Sequence, residues 1–342
     1  GTGFLPLLLL VPFFALRRLG FSGLWAGQGG ARWWLAPAAL LGGIALWFVP
    51  MVVTVAVSGD PALAAYRDEI LFQQTVTRYA AAWGHREPWY YFIVQVIPAL
   101  WLPGTLLLPW LWPRWREAWR GRDGRSWLLL GWVVLVVLFF SLSTGKRGVY
   151  ILPALPAFAL AAAPYLPGLL ARAGVQRALF ALALAVVVVA GAAAVYVGLI
   201  RPGELANLAE RYDVTSVAPL VAIAALGGLA LAIFRPARGA QSWVATLLAV
   251  TWVQGLWINP MINGARSGRD FVATMEAAAA PHAELALLSY REQYLLYLTR
   301  PVTNFGHRRE SREGDQEADD AARWLNRAPD RVLVVDDLRK AK

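Results

Sequence analysis

Eight apolar runs follow one another over the first 258 residues of this chain, most of them close to the length that crosses a bilayer as a helix. They fall at 3–16, 33–57, 89–112, 127–143, 149–171, 178–200, 217–234 and 243–258. A water-soluble core cannot absorb that much apolar surface. A bilayer can, because a helix satisfies its own backbone there and its side chains meet lipid. Composition agrees: 58% of the 342 residues are hydrophobic and 16% charged, where soluble domains carry about 25% charged residues. Trp33, Trp34, Trp89, Trp112, Trp127 and Trp243 stand at run ends, where an aromatic belt forms. The first run is short, and the chain opens apolar at Gly1-Thr2-Gly3-Phe4 without Met or a basic leader. That reads as a C-terminal part of a longer protein, cut near the start of a membrane helix.

The net charge of +10 would suit a nucleic-acid binder, but its distribution excludes one. Alternate loops sort by charge. The set 17–32, 113–126, 172–177 and 235–242 holds twelve Arg against two acids, Glu117 and Asp123. The set 58–88, 144–148 and 201–216 holds seven basic and seven acidic residues. The positive-inside rule places the first set in the cytoplasm. The excess charge is topological, and the expected partners are membrane lipids rather than nucleic acid.

Residues 259–342 differ in character, with thirteen basic and thirteen acidic side chains and no spanning run. Glu284–Tyr290 and Arg331–Asp337 read as short buried strands. Residues 267–280 and 317–327 read as helices, the first capped by Ser267. The expected architecture is a membrane domain over 1–258, about seven full spans plus a short first one. A small α/β domain over 259–342 would lie on the outer side.

Two outer stretches carry the groups that do chemistry. One is Trp83-Gly84-His85-Arg86-Glu87-Pro88-Trp89-Tyr90-Tyr91, after a loop whose Pro61–Ala80 portion reads as an interfacial helix. The other runs from Ser141 to Pro153 and holds Lys146, Arg147 and Tyr150 in a very short loop between two spans. Lys146 is the only Lys outside the C-terminal tail. On residue chemistry alone both stretches fit either membrane anchors, with Arg86 and Lys146 reaching the headgroups, or a phosphate site with Lys as point charge and Arg as fork. Asp60, Asp68 and Glu69 read as solvated helix charges. With no Cys and only His85, His282 and His307, a metal site built from these residues alone is not expected. Asp336 and Asp337 read as solvated.

His85-Arg86-Glu87-Pro88-Trp89-Tyr90-Tyr91, the later Leu108-Pro109-Trp110, and the spaced set Ser143, Lys146, Tyr150, Ile151, Leu152, Pro153 and Pro156 together resemble the polyprenyl-phosphate-sugar-dependent membrane glycosyltransferases. That group takes in the aminoarabinose–lipid A transferases and the dolichyl-phosphate-mannose–protein mannosyltransferase-like family. The likeness covers residues 1–165 well and the remainder in architecture. It implies an all-α polytopic GT-C fold, with the α/β segment outside the bacterial inner membrane. The implied activity is inverting transfer of a sugar from a polyprenyl-phosphate donor to a lipid, glycan or protein acceptor. It further implies that Arg86, Lys146 and Tyr150 bind the donor phosphate and that His85 joins a divalent-metal site. The general-base Asp of the family would precede residue 1, so the 342 residues alone are expected to be inactive. The competing readings are a polyprenyl-lipid transporter or flippase and a non-catalytic scaffold. Ion-coupled transport calls for ionisable groups inside the spans, and 33–57, 89–112, 127–143, 149–171 and 178–200 contain none.

Overall fold

A computed structural model describes residues 2–24, 35–68, 70–71, 87–143, 145–288, 290, 292–305 and 314–335. The chain divides into two compact units, residues 1–175 and 176–342.

In the first unit a 3₁₀ turn (Thr2–Leu9) leads into α1 (Leu10–Arg18), followed by α2 (Leu35–Ser58) and α3 (Pro61–Asp68). Then come α4 (Phe92–Leu100), α5 (Thr105–Arg120), α6 (Gly124–Leu142) and α7 (Ala154–Leu170). Among the described residues of the whole chain, four helices are long and apolar enough to cross a membrane by themselves. In this unit they are α2 and α6. Their apolar side chains point outward, Leu46 at 81% and Leu142 at 78% exposure, as surface meant for lipid does.

The expected span 89–112 is not one straight helix. α4 and α5 meet at 97°. Pro98 and Pro103 each remove a backbone donor, and Gly104 lets the corner close. A Cβ on Gly104 would stand 2.6 Å from the Phe158 ring of α7, so the corner is packed directly on that helix. Trp101 completes the contact, its ring 5.4 Å from Phe158. Indole and hydroxyl donors then staple α5, α6 and α7 together: Trp115 Nε1 donates to Ala161 O at 3.0 Å, and Ser126 Oγ to the same oxygen at 3.3 Å.

Two joins fix the ends of α6. At its start, Ser22 N donates to Arg122 O and Gly124 N to Ser22 O, both at 2.8 Å. The loops 17–32 and 113–126, both strongly basic, therefore meet. At its far end, residue 146 bonds to residue 87, so the neutral loops meet as well. α6 has 19 residues and is about 28 Å long at 1.5 Å per residue. The chain is at one end of it at residue 87 and at the other at residue 122. The bent pair α4–α5 thus carries the chain across once, despite its corner.

The second unit holds most of α8 (Ala173–Ile200), then α9 (Pro202–Tyr212), α10 (Ala218–Phe234) and α11 (Pro236–Met261). α8 and α11 are the other two helices long enough to span; α10, at 17 residues, is shorter, as is α7 in the first unit. Gly239 lies against α8 so closely that a Cβ would stand 1.8 Å from Gln176 O, and Ala240 N donates to Gln176 Oε1 at 2.9 Å. This joins two more basic loops, 172–177 and 235–242. α9 contacts the short helix Asn263–Ser267, on the side where the polar C-terminal part begins.

That part contains α12 (Arg269–Ala278), β1 (Glu284–Leu288), β2 (Val302–Asn304), α13 (Gly314–Leu325) and β3 (Arg331–Val335). The sheet is parallel in the order β2-β1-β3. Val272, Met275, Leu285, Leu287 and Tyr294 form its core. Both expected strands and both expected helices are present. β2 is an addition: three residues after Pro301, two of them polar, give little periodicity to read. Gly268, with φ +74°, precedes α12 at the cap position, while Ser267 Oγ accepts from Arg269 N at 3.3 Å. Ser267 helps the first turn without being the cap.

Candidate functional site

The site grows from the end of α6. Its last turn leaves carbonyls without helical partners. Ser143 turns the chain into extended backbone (φ −66°, ψ 144°), and its Oγ donates to Gly145 O at 3.2 Å. That tight turn aims Lys146 back at the helix end. Lys146 Nζ donates to Ser143 O at 2.6 Å and to Glu87 O at 2.8 Å. A cation at a helix C-terminus is favoured by the dipole and by the open carbonyls.

Lys146 is only 5% exposed. Among the described residues no carboxylate pairs with it. Two of its three N–H donors are spent on carbonyl oxygens, and among the described residues no carboxylate neutralises its charge. A buried charge without a counter-ion is costly, and an arriving anion relieves that cost. Exposed membrane anchors behave differently, since they reach out to headgroups; at this burial Lys146 is not one of them.

A 3₁₀ turn, Gly148–Ile151, follows and carries Tyr150, which is partly exposed. The Tyr150 ring lies 5.5 Å from that of Phe140 on α6. A Cβ on Gly148 would meet Leu100 and Val96 of α4 at ordinary contact distance. The turn therefore packs on the helix that follows the first motif stretch. The two stretches singled out in the sequence are brought together: Glu87, Pro88 and α4 on one side, Ser143, Lys146 and Tyr150 on the other. His85, Arg86 and Glu69 lie outside the described residues, as do His307, Asp336, Asp337 and most of the Pro61–Ala80 stretch. Asp68 is a solvated charge as expected, paired at 2.7 Å with its neighbour Arg67. The Glu87 carbonyl was not foreseeable as a functional group, because a backbone oxygen has no sequence signature.

Among the described residues no group of three or more metal-binding side chains forms.

No family model matches the chain. Curated proteins do. It is 35% identical over 198 residues to the undecaprenyl phosphate-α-4-amino-4-deoxy-L-arabinose arabinosyl transferase 2 of Sodalis glossinidius, a stretch covering 56% of this chain and 34% of that one. It is 31% identical over 146 residues to the corresponding transferase 1 of Pseudomonas fluorescens, covering 37% and 26%. Over part of its length, the chain is similar to these aminoarabinose transferases. Its fold matches that of ArnT from Cupriavidus metallidurans, solved bound to undecaprenyl phosphate. The TM-score is 0.60 and the identity 21%, over 97% of this chain and 56% of ArnT. The expected GT-C membrane fold, with a small α/β part at its C-terminal end, is therefore present. The chain spans about a third of the length of its Sodalis relative and about half that of ArnT.

Proposed function

We propose that the chain belongs to a membrane glycosyltransferase that takes a sugar from a polyprenyl-phosphate donor, and that its own part is to hold the donor phosphate. The observation that carries this reading is the buried ammonium of Lys146, bonded to Glu87 O and Ser143 O and, among the described residues, paired with no carboxylate. Its third N–H is directed to the phosphate. Arg86, one residue before Glu87, and Tyr150 complete the phosphate contacts. The homology to arabinosyltransferases and the fold shared with ArnT support the same donor class.

The chemistry follows from where charge develops. As the sugar's anomeric carbon is attacked, the bond to the phosphate oxygen breaks and the leaving polyprenyl phosphate gains negative charge. A cation fixed in advance and shielded from water stabilises that charge without reorganising. The Tyr150 hydroxyl can donate to the same phosphate and adds direction. No base for the acceptor hydroxyl is assigned. Lipid, glycan and protein acceptors all fit, and pentosyl transfer to a lipid A-type acceptor is favoured by the homologues' names. His85 is retained as a proposed ligand of a divalent metal; loss of metal-dependent donor binding in His85→Ala would support it.

The loops that meet at Lys146 belong to the neutral set, which supports a site on the outer face of the bacterial inner membrane, and the alternation of loop sets supports residues 259–342 on that side as well. The experiment is retention of radiolabelled undecaprenyl phosphate by the purified chain, compared with undecaprenol. Saturable binding that needs the phosphate supports the reading. Equal binding of the alcohol contradicts it.

A further inference from the structure

We propose that Arg300 forms a second oxyanion site, in the C-terminal α/β part, for a phosphate or carboxylate group. Arg300 stands between the 3₁₀ turn Glu292–Leu296 and β2. Its Nη1 donates to Ala280 O at 2.9 Å and to Pro281 O at 3.4 Å, which anchors one corner of the guanidinium in the loop after α12. Nε and Nη2 are buried and make no hydrogen bond among the described residues.

Those two nitrogens form the side-on edge of the guanidinium. Their N–H groups run parallel and match the two oxygens of a carboxylate or phosphate. Leaving both unmet inside a protein is costly, and such a group calls for a specific partner. The carboxylate that shares this neighbourhood, Glu276, does not serve. It accepts from Thr299 N at 2.9 Å and from Thr299 Oγ1 at 2.5 Å, with smaller contributions from the Arg300 backbone and charge, and forms no close ion pair with the guanidinium.

Arg300 lines a cavity of about 370 Å³ together with Tyr290, Leu298, Thr299 and Asn304. The cavity has room for a phosphate together with the group that bears it. Tyr290 and Asn304 add hydrogen-bonding groups to the wall. Leu295 also lines it and is 69% exposed, and because Nε and Nη2 are covered, an oxyanion reaches them by a shift of the cavity wall. No residue is shared with the Lys146 site, and no described element of one belongs to the other.

The same chemistry describes a free oxyanion and a phosphate on a lipid headgroup, and the test separates them. The whole chain, carrying Lys146→Ala to remove the other anion site, is melted in neutral detergent while inorganic phosphate replaces chloride at constant ionic strength. A ligand that binds only the folded state raises the melting temperature saturably. A rise of a few degrees is expected with Arg300 intact. Arg300→Lys keeps the charge but loses the fork, and should need at least about tenfold more phosphate for half the effect. Arg300→Gln should abolish it. The same proteins are then melted in phosphatidylcholine nanodiscs with and without phosphatidic acid. Response to the lipid alone assigns a headgroup, and response to both assigns the oxyanion itself. Absence of any response with Arg300 intact overturns the proposal without reference to the variants. An equal response from folded Arg300→Lys overturns the fork.

Discussion

Lys146 Nζ and the carbonyl of Glu87, 59 residues apart in the chain, are joined by a hydrogen bond of 2.8 Å. This bond clasps the end of α6 to the residue that precedes α4. It brings the two motif stretches together at one end of α6. Lys146→Met keeps the length of the side chain and removes the donor. Hydrogen exchange should then quicken at the amides of 89–91 and 145–148, while those of α10 and α11 keep their protection. Unchanged exchange at both segments would show that the clasp holds nothing.

The corner between α4 and α5 rests on contact between Gly104 and Phe158. Gly104→Val puts a branched side chain where the ring stands 2.6 Å from a Cβ, and overpacking of this kind costs about 1–3 kcal/mol. Phe158→Leu should recover part of the loss in the double variant, since neighbours couple. Additive losses in detergent melting curves would place the strain elsewhere.

Reporter fusions test the topology. A fusion at Arg120 should report the cytoplasm and one after Lys342 the outer side, given twelve against seven basic residues in the two loop sets. Signals from the same side would refute the charge argument.

In the C-terminal part, the hydrogen bonds from Thr299 Oγ1 and N hold the Glu276 carboxyl below its ordinary 4.5, with a smaller contribution from Arg300. A lowered carboxyl contributes stability that is fully present above its unfolded value and is lost as pH falls through the folded one. The melting temperature should therefore drop as pH falls below about 4.5, and Glu276→Gln should flatten that limb. An identical acid limb in the variant would assign the loss to other carboxylates.

Much of this was legible in the chain. Apolar runs marked the helices, although of the about seven full spans expected only four helices are long enough to cross by themselves among the described residues. The loops sorted by Arg to one side are the ones that meet. In each unit the structure joins loops of like charge class: Ser22 with Arg122, Glu87 with Lys146, Gln176 with Ala240. Pro98, Pro103 and Gly104 stood in view within 89–112, but hydropathy is blind to a corner when every residue around it is apolar. β2 escaped because three residues carry no period. At the site, the motif named Lys146 and Tyr150, while the burial of the ammonium and its carbonyl partners depended on how Ser143 turns the chain. Arg300 has no motif at all; only packing reveals that two of its nitrogens lack partners.

The central claim is that Lys146 gives its remaining N–H to the donor phosphate. The direct measurement is the affinity of undecaprenyl phosphate for wild-type and Lys146→Ala protein, both shown to be folded. A hydrogen bond to a charged group contributes about 1.5–3 kcal/mol, so affinity should fall roughly 10- to 150-fold, with Lys146→Arg restoring part of it because a planar fork places its charge differently. In the active enzyme, kcat should fall as well, because the contact strengthens as the leaving group gains charge. Affinity of folded Lys146→Ala within about twofold of wild type would contradict the account, and would leave Lys146 as a structural clasp only.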